Sequence, residues 1–199
     1  MLDRTAASHY CHYTSMATTI PARQNLYLAG LKHCGKTTLG KLIAARTDRE
    51  FYDLDELLLE VAAGQGYSSV REIYRTAGRE KFQEYEAAAA RKAPLSAAIL
   101  SLGGGTIENP SAYEALKLGG SLIYLQVEEA VLFKRIERGG LPPFLIGDRP
   151  AAELFHELYI RRHNLYMQHC DAGIELPDQA VEKNFELLYS RLKELNYVR

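Results

Sequence analysis

Nine consecutive residues, Gly30-Leu31-Lys32-His33-Cys34-Gly35-Lys36-Thr37-Thr38, carry the strongest chemical signal in the chain. They follow the strand-like run Asn25-Leu26-Tyr27-Leu28-Ala29 and precede the helix-like run Leu39-Gly40-Lys41-Leu42-Ile43-Ala44, which is the setting a Walker A loop requires. Gly30 lets the chain leave the strand and Gly35 lets it fold tightly. Backbone N–H groups between them then converge on phosphate oxygens at a helix N-terminus, where the dipole also favours an anion. Lys36 would reach the β- and γ-phosphates of a nucleoside triphosphate, and the Thr37 hydroxyl would hold Mg²⁺. Lys32, His33, Cys34 and Thr38 complete the nucleotide-facing loop. The His33 imidazole either contacts the γ-phosphate or turns to solvent. Cys34 is either an oxidisable thiol beside amides and Lys36, or a small residue suited to a tight loop.

Two further segments add chemistry. Asp53-Leu54-Asp55 ends an apolar run, and in an extended stretch residues two apart face the same side, so both carboxylates would enter one cleft. One carboxylate near Mg²⁺ and one on a substrate hydroxyl would match phosphoryl transfer, which needs charge neutralisation and an oriented nucleophile. Gly103-Gly104-Gly105 follows the apolar run Ala98–Leu102, and three glycines bare the backbone to a ligand.

The elements that must hold these loops are legible from periodicity. Strand-like runs are predicted at 26–29, 51–54, 98–102, 122–127 and, weakly, 173–176. Helical spacing is predicted over 38–46, 57–62, 70–74, 79–92, 111–117, 131–137, 152–166 and 179–195. This alternation predicts a three-layer α/β/α domain with a five-stranded parallel sheet, in which ligands sit beyond the carboxyl ends of the strands. The loops after Ala29, Leu54 and Leu102 should therefore share one cleft.

Composition sets outer bounds. A chain of 199 residues, 47% hydrophobic and 25% charged, suits one domain with a sizeable core. A formal charge of −1 argues against nucleic acid as a partner, and no stretch approaches the roughly 20 apolar residues of a membrane span. Three widely spaced cysteines, Cys11, Cys34 and Cys170, suit a reducing cytoplasm better than a disulfide framework. Residues 1–24 are polar and aperiodic, and read as a flexible tail with Met16 as an alternative start. His9, Cys11 and His12 lack a fourth ligand and read as incidental rather than as a metal site. The domain is expected at 25–199, as a monomer.

The order of motifs resembles shikimate kinase, a family of nucleoside-monophosphate-kinase-like P-loop enzymes. The carriers are Gly-x-x-x-x-Gly-Lys-Thr, Asp-x-Asp with a following Glu, Gly-x-x-Ser-Val-x-Glu-Ile-Tyr, Gly-x-x-x-Phe-x-x-x-Glu, Leu-Gly-Gly-Gly and Arg-x-x-Leu-Tyr, spanning about Leu26 to Leu195. The resemblance implies ATP as phosphoryl donor, Mg²⁺, and a small cyclic hydroxy acid as acceptor, with shikimate first. It further implies Lys36 and Thr37 on phosphate and Mg²⁺, Asp53 on the metal side, and Asp55 on the acceptor hydroxyl. Gly103, Gly104 and Gly105 would line the acceptor pocket, Arg135 would lie beside the adenine, and Arg162 would pair with the acceptor's carboxylate, as guanidinium does bidentately.

Four departures from the family pattern bear on function. Gln83 stands where the family places an arginine, which removes one cationic partner of the carboxylate. Arg79, one turn earlier, is expected to restore part of that charge, with Glu86 orienting it. Pro142 replaces a lid arginine, leaving Arg138 or Arg149 to reach the transferring phosphate, and the lid is expected at about 138–150 with Gly139-Gly140 as hinge. His33 replaces a P-loop glycine, and Asn164 replaces a proline. Three readings follow: a shikimate kinase, a relative with a changed acceptor, and a non-catalytic ATP-binding module.

Overall fold

In the computed structural model, described over residues 24–95 and 97–199, five parallel strands form one sheet in the order β2-β3-β1-β4-β5. The strands are β1 (Asn25–Ala29), β2 (Glu50–Asp53), β3 (Ala98–Ser101), β4 (Gly120–Gln126) and β5 (Ala172–Glu175). β1 is central and fully buried, as its unbroken apolar run requires of a strand covered on both faces. Its register sets Leu28 beside Ser101 on one side and Ile123 on the other. β2 pairs with β3 so that Asp53 lies beside Ser101, which brings the ends of β1, β2 and β3 level.

The helices are α1 (Lys36–Thr47), α2 (Leu54–Val61), α3 (Val70–Lys92), α4 (Pro110–Lys117), α5 (Glu129–Arg138), α6 (Ala151–His169) and α7 (Val181–Glu194). They flank the sheet and complete the three-layer P-loop architecture that the alternation predicts. α1 lies on β1, β2 and β3 and meets α7, while α4 and α6 both meet β4. At the sheet edge α3 packs between α2 and α4, walling one side of the cleft. Among the described residues no helix is long and apolar enough to cross a membrane.

Among the boundaries that differ from the periodicity, three change the reading of the chain. The strand expected to include Leu54 ends at Asp53, because the Asp53 carboxylate accepts from the Asp55 N–H and caps α2. Asp55 therefore stands in the first turn of a helix rather than on a strand. The segments expected as separate helices at 70–74 and 79–92 join into α3, broken internally at Gly78, whose φ of 83° and ψ of 174° are not helical. α6 continues through Asn164 to His169 where the periodicity placed its end at Tyr166. Of the expected tail over residues 1–24, residues 1–23, with Met16 and the His9, Cys11 and His12 group, lie outside the described residues.

Candidate active site

The carboxyl ends of β1, β2 and β3 open into a cavity of about 1090 Å³. Lys32, His33, Gly35, Lys36, Thr37 and Thr38 form its phosphate-side wall, and Asp53, Asp55 and Ser101 stand at its centre. Gln83, Arg79, Glu86, Gly103, Gly104, Gly105, Glu108 and Arg162 form the far wall. The three loops singled out by sequence thus share one cleft.

At the phosphate end, the buried Lys36 ammonium donates to the carbonyls of Gly30 at 2.9 Å and Leu31 at 3.0 Å. These two bonds tie the loop back on itself. Gly30 and Cys34 stand behind the loop rather than in the cavity wall. Gly30 has φ of 146°, and a Cβ there would meet Cys34 Sγ at 2.7 Å and the Leu125 carbonyl at 2.8 Å. Cys34 is itself only 2% exposed, the setting of a packing residue. His33 adopts φ of 65°, and burial, then Lys32, Lys36 and Arg135, hold its pKa below the usual value, so it is neutral at pH 7. Arg135 does not line the cavity. It donates to the His33 carbonyl at 3.1 Å and pairs with Asp178 at 2.7 Å, bracing the outer side of the loop.

The Thr37 hydroxyl donates to Asp53 Oδ2 at 2.9 Å and lies 3.4 Å from Ser101 Oγ. Hydroxyl and carboxylate oxygens side by side are donors that suit Mg²⁺, which takes one or two protein oxygens and leaves other positions to phosphates and water. Asp55 makes no side-chain hydrogen bond among the described residues. Although its carboxylate faces the open cavity, desolvation and then Asp53 push its pKa up to about 6, with Glu86 adding to the rise and Lys36 opposing it.

At the acceptor end the glycines admit groups that a side chain would exclude. A Cβ on Gly103 would lie 3.2 Å from Asp55 Oδ1 and 3.3 Å from Glu86 Oε1, and one on Gly105 would lie 3.0 Å from Arg162 Nη2. Tyr166, stacked on Tyr124 at 4.8 Å, donates to the Gly104 carbonyl at 3.1 Å and fixes this loop against α6. Glu108 accepts from Arg161 and Arg162, both from Nε, at 2.7 and 2.8 Å.

The expected pairing of Arg79 with Glu86 is not present. Glu86 accepts instead from Thr106 at 2.7 Å and Asn109 at 2.9 Å, which commits its carboxylate to the loop after β3 rather than to Arg79. Burial raises the Glu86 pKa despite those two donors. Arg79 lines the cavity and makes no hydrogen bond or ion pair among the described residues. In the segment expected as a lid, Pro142 is buried, Arg138 is exposed and Arg149 pairs with Glu157 at 2.7 Å and Glu153 at 3.4 Å; neither arginine lines the cavity. Ser101, Thr106, Asn109, Glu108 and Tyr166 escaped the reading of local motifs because each acts through residues far away in the chain. The one available signal was position: all five lie within or just beyond the Leu-Gly-Gly-Gly and Arg-x-x-Leu-Tyr segments.

The sequence matches the family model described as Shikimate kinase over residues 32–193. A shikimate kinase of Chlamydia pneumoniae is 38% identical over 135 residues, covering 66% of this chain and 77% of that protein. One of Thiobacillus denitrificans is 34% identical over 170 residues, covering 85% and 91%. Among solved structures, the shikimate kinase of Acinetobacter baumannii in complex with shikimate superposes with a TM-score of 0.72 at 26% identity, covering 86% of this chain and 94% of that one. The shikimate kinase of Bacteroides thetaiotaomicron gives 0.72 at 26% identity, covering 88% and 99%. A Walker A loop, a capped pair of aspartates and a triple-glycine wall on this sheet order therefore have a family, and the chain belongs to the shikimate kinases, phosphotransferases that use ATP and an alcohol acceptor.

Proposed function

We propose that residues 25–199 form a single kinase domain that transfers the γ-phosphoryl group of ATP to a hydroxyl of shikimate. One juxtaposition carries the reading. Lys36 and Asp55 line the same cavity as Arg162, and Gly103 and Gly105 bring the backbone against Asp55 and Arg162 respectively. A ring bearing a carboxylate at one end and hydroxyls at the other fits between a guanidinium and a carboxylate so placed.

In this reading Lys36 exchanges its loop carbonyls for β- and γ-phosphate oxygens, and loop N–H groups bind the remaining ones. Thr37 and Asp53 would hold Mg²⁺, which when bound neutralises charge on the phosphates. Asp55 accepts the proton of the acceptor hydroxyl as its oxygen bonds to the γ-phosphorus, while the bond from that phosphorus to the bridging oxygen breaks and ADP leaves. Arg162 orients the acceptor through its carboxylate, Arg79 adds positive potential on the Gln83 side, and the segment at about 138–150 closes as a lid. A monomer working in the cytoplasm is consistent with the charge of −1 and the three unclustered cysteines.

A second reading, a kinase of another cyclic hydroxy acid, is favoured by two observations. Gln83 is uncharged, and Glu108 already neutralises part of the charge of Arg162. A coupled ADP-release assay with shikimate, other cyclic hydroxy acids and no acceptor separates the two. Shikimate-dependent release is expected, release with another acid alone establishes the second reading, and no acceptor-dependent release sinks both.

A further inference from the structure

Glu108 and Arg162 are 54 residues apart in sequence, and their side chains are only 16% and 15% exposed. Both Glu108 oxygens are engaged: Oε1 accepts from Arg161 Nε at 2.7 Å, Oε2 accepts from Arg162 Nε at 2.8 Å, and Arg162 Nη2 lies 2.8 Å from the same Oε2 in an ion pair. A planar guanidinium whose Nε–Nη2 edge lies against a carboxylate is restrained from swinging about the aliphatic torsions that carry it. The remaining nitrogen, Nη1, points to the triple-glycine wall, 3.7 Å from where a Cβ of Gly104 would be. The absence of side chains at Gly104 and Gly105 lets that guanidinium lie against the backbone, inside the cavity wall.

The other carboxylates on this wall are occupied elsewhere. Glu86 holds Thr106 and Asn109, and Glu157 holds Arg149. Against the upward push of burial, Arg162 and Arg161 together hold the Glu108 carboxyl below the usual range, so it stays ionised as a hydrogen-bond acceptor through the neutral range.

We infer that Glu108 is a positioning residue for the acceptor: it fixes Arg162 so that Nη1 alone is presented to the acceptor's carboxylate. This inference rests on the proposed function for the identity of the acceptor, but not for the clamp itself. Glu108 touches no reacting atom. Its loss should free Arg162 to sample conformers away from the pocket, which outweighs the removal of a competing negative charge.

The test is a double-mutant cycle of Glu108→Gln and Arg162→Lys, assayed with shikimate. Glu108→Gln should raise the acceptor KM about 10-fold, the worth of one charge-assisted hydrogen bond lost from the bound state, with the ATP KM unchanged and kcat altered less than twofold. The double variant should be no worse than Arg162→Lys alone, because Glu108 acts through that guanidinium. An acceptor KM that is unchanged or lower in Glu108→Gln, or additive effects in the cycle, would overturn the inference. A second measurement is independent of any acceptor. In ¹⁵N-labelled protein the Arg161 and Arg162 Nε–H signals, assigned with Arg161→Lys and Arg162→Lys, should be protected in the wild type and lost to exchange in Glu108→Gln. Persistence of the Arg162 signal in that variant also refutes the clamp. Failure of wild-type turnover with shikimate, by contrast, strikes the proposed function and leaves the spectroscopic result to judge the clamp.

Discussion

The two ends of the cavity are built on different principles. The phosphate end is local: strand, loop and helix are contiguous from Asn25 to Thr47, and Lys36 bonds to carbonyls five and six residues earlier. The acceptor end is assembled from side chains on α3, the loop after β3 and α6, joined by contacts such as Arg162 to Glu108 and Glu86 to Thr106. A backbone grip on phosphate depends on conformation more than on the identity of the side chains, so His33 and Cys34 are compatible with it. A side-chain grip on an acceptor is set by individual charges, so one substitution such as Gln83 alters what it prefers.

If that contrast holds, variants at the two ends should fail in different ways. Replacing Asp55, at the junction, should have the largest effect. Asp55→Asn is expected to lower kcat by about 10²- to 10⁴-fold while ADP binding, followed by calorimetry, stays within a few-fold of wild type. Loss of nucleotide binding in this variant would mean that the two ends are not separable at Asp55. Arg162→Lys keeps the charge but loses the planar guanidinium that Glu108 orients, and should raise the acceptor KM by about 10- to 100-fold with little change in ATP KM.

The segment proposed as a lid sharpens the comparison further. Arg149 is the better-placed substitute for the absent lid arginine, because its partner Glu157 lines the cavity whereas Arg138 has no partner there. Arg149→Ala should reduce kcat at least ~10-fold and Arg138→Ala no more than about twofold, with both acceptor and ATP KM values nearly constant. Equal kcat values for the two variants would remove Arg149 from the mechanism. Its surface ion pairs by themselves are worth little to stability, so the melting temperature should barely move.

The smallest effect expected is on pH-dependent stability behind the acceptor wall. His163, 3.1 Å from the Tyr124 hydroxyl, has its pKa lowered by burial. The unfolded chain therefore binds this proton first as pH falls, and the native state loses stability below about 6.5, the ordinary histidine value. His163→Gln should flatten that part of a stability-against-pH curve measured by chemical denaturation. A slope unchanged by the substitution would assign the loss to other groups.

Legibility in the sequence followed the same divide. The strands and the Walker A loop were readable because their signals, apolar runs and glycine spacing, are contiguous. Asp53 and Asp55 were readable as a pair, yet for the wrong reason: strand alternation was expected, and an N-cap put Asp55 on the first turn of α2. The link between Arg79 and Glu86 failed because helical spacing sets which residues share a face but not which partner a buried carboxylate takes, and Glu86 is held by Thr106 and Asn109 from the loop after β3. Arg135 faces outward to Asp178, a partner 43 residues away that no local pattern reveals.

The sequence by itself determined the parallel α/β order, the phosphate loop with Lys36 and Thr37, and the family, since these depend on patterns within some ten residues or on motif order along the chain. Only the tertiary structure decided that Glu108 holds Arg161 and Arg162, that Glu86 serves Thr106 and Asn109, and that Lys36 rests on the carbonyls of its own loop. The physical reason is that a charge chooses its partner by distance and burial in space, and neither is a function of separation along the chain.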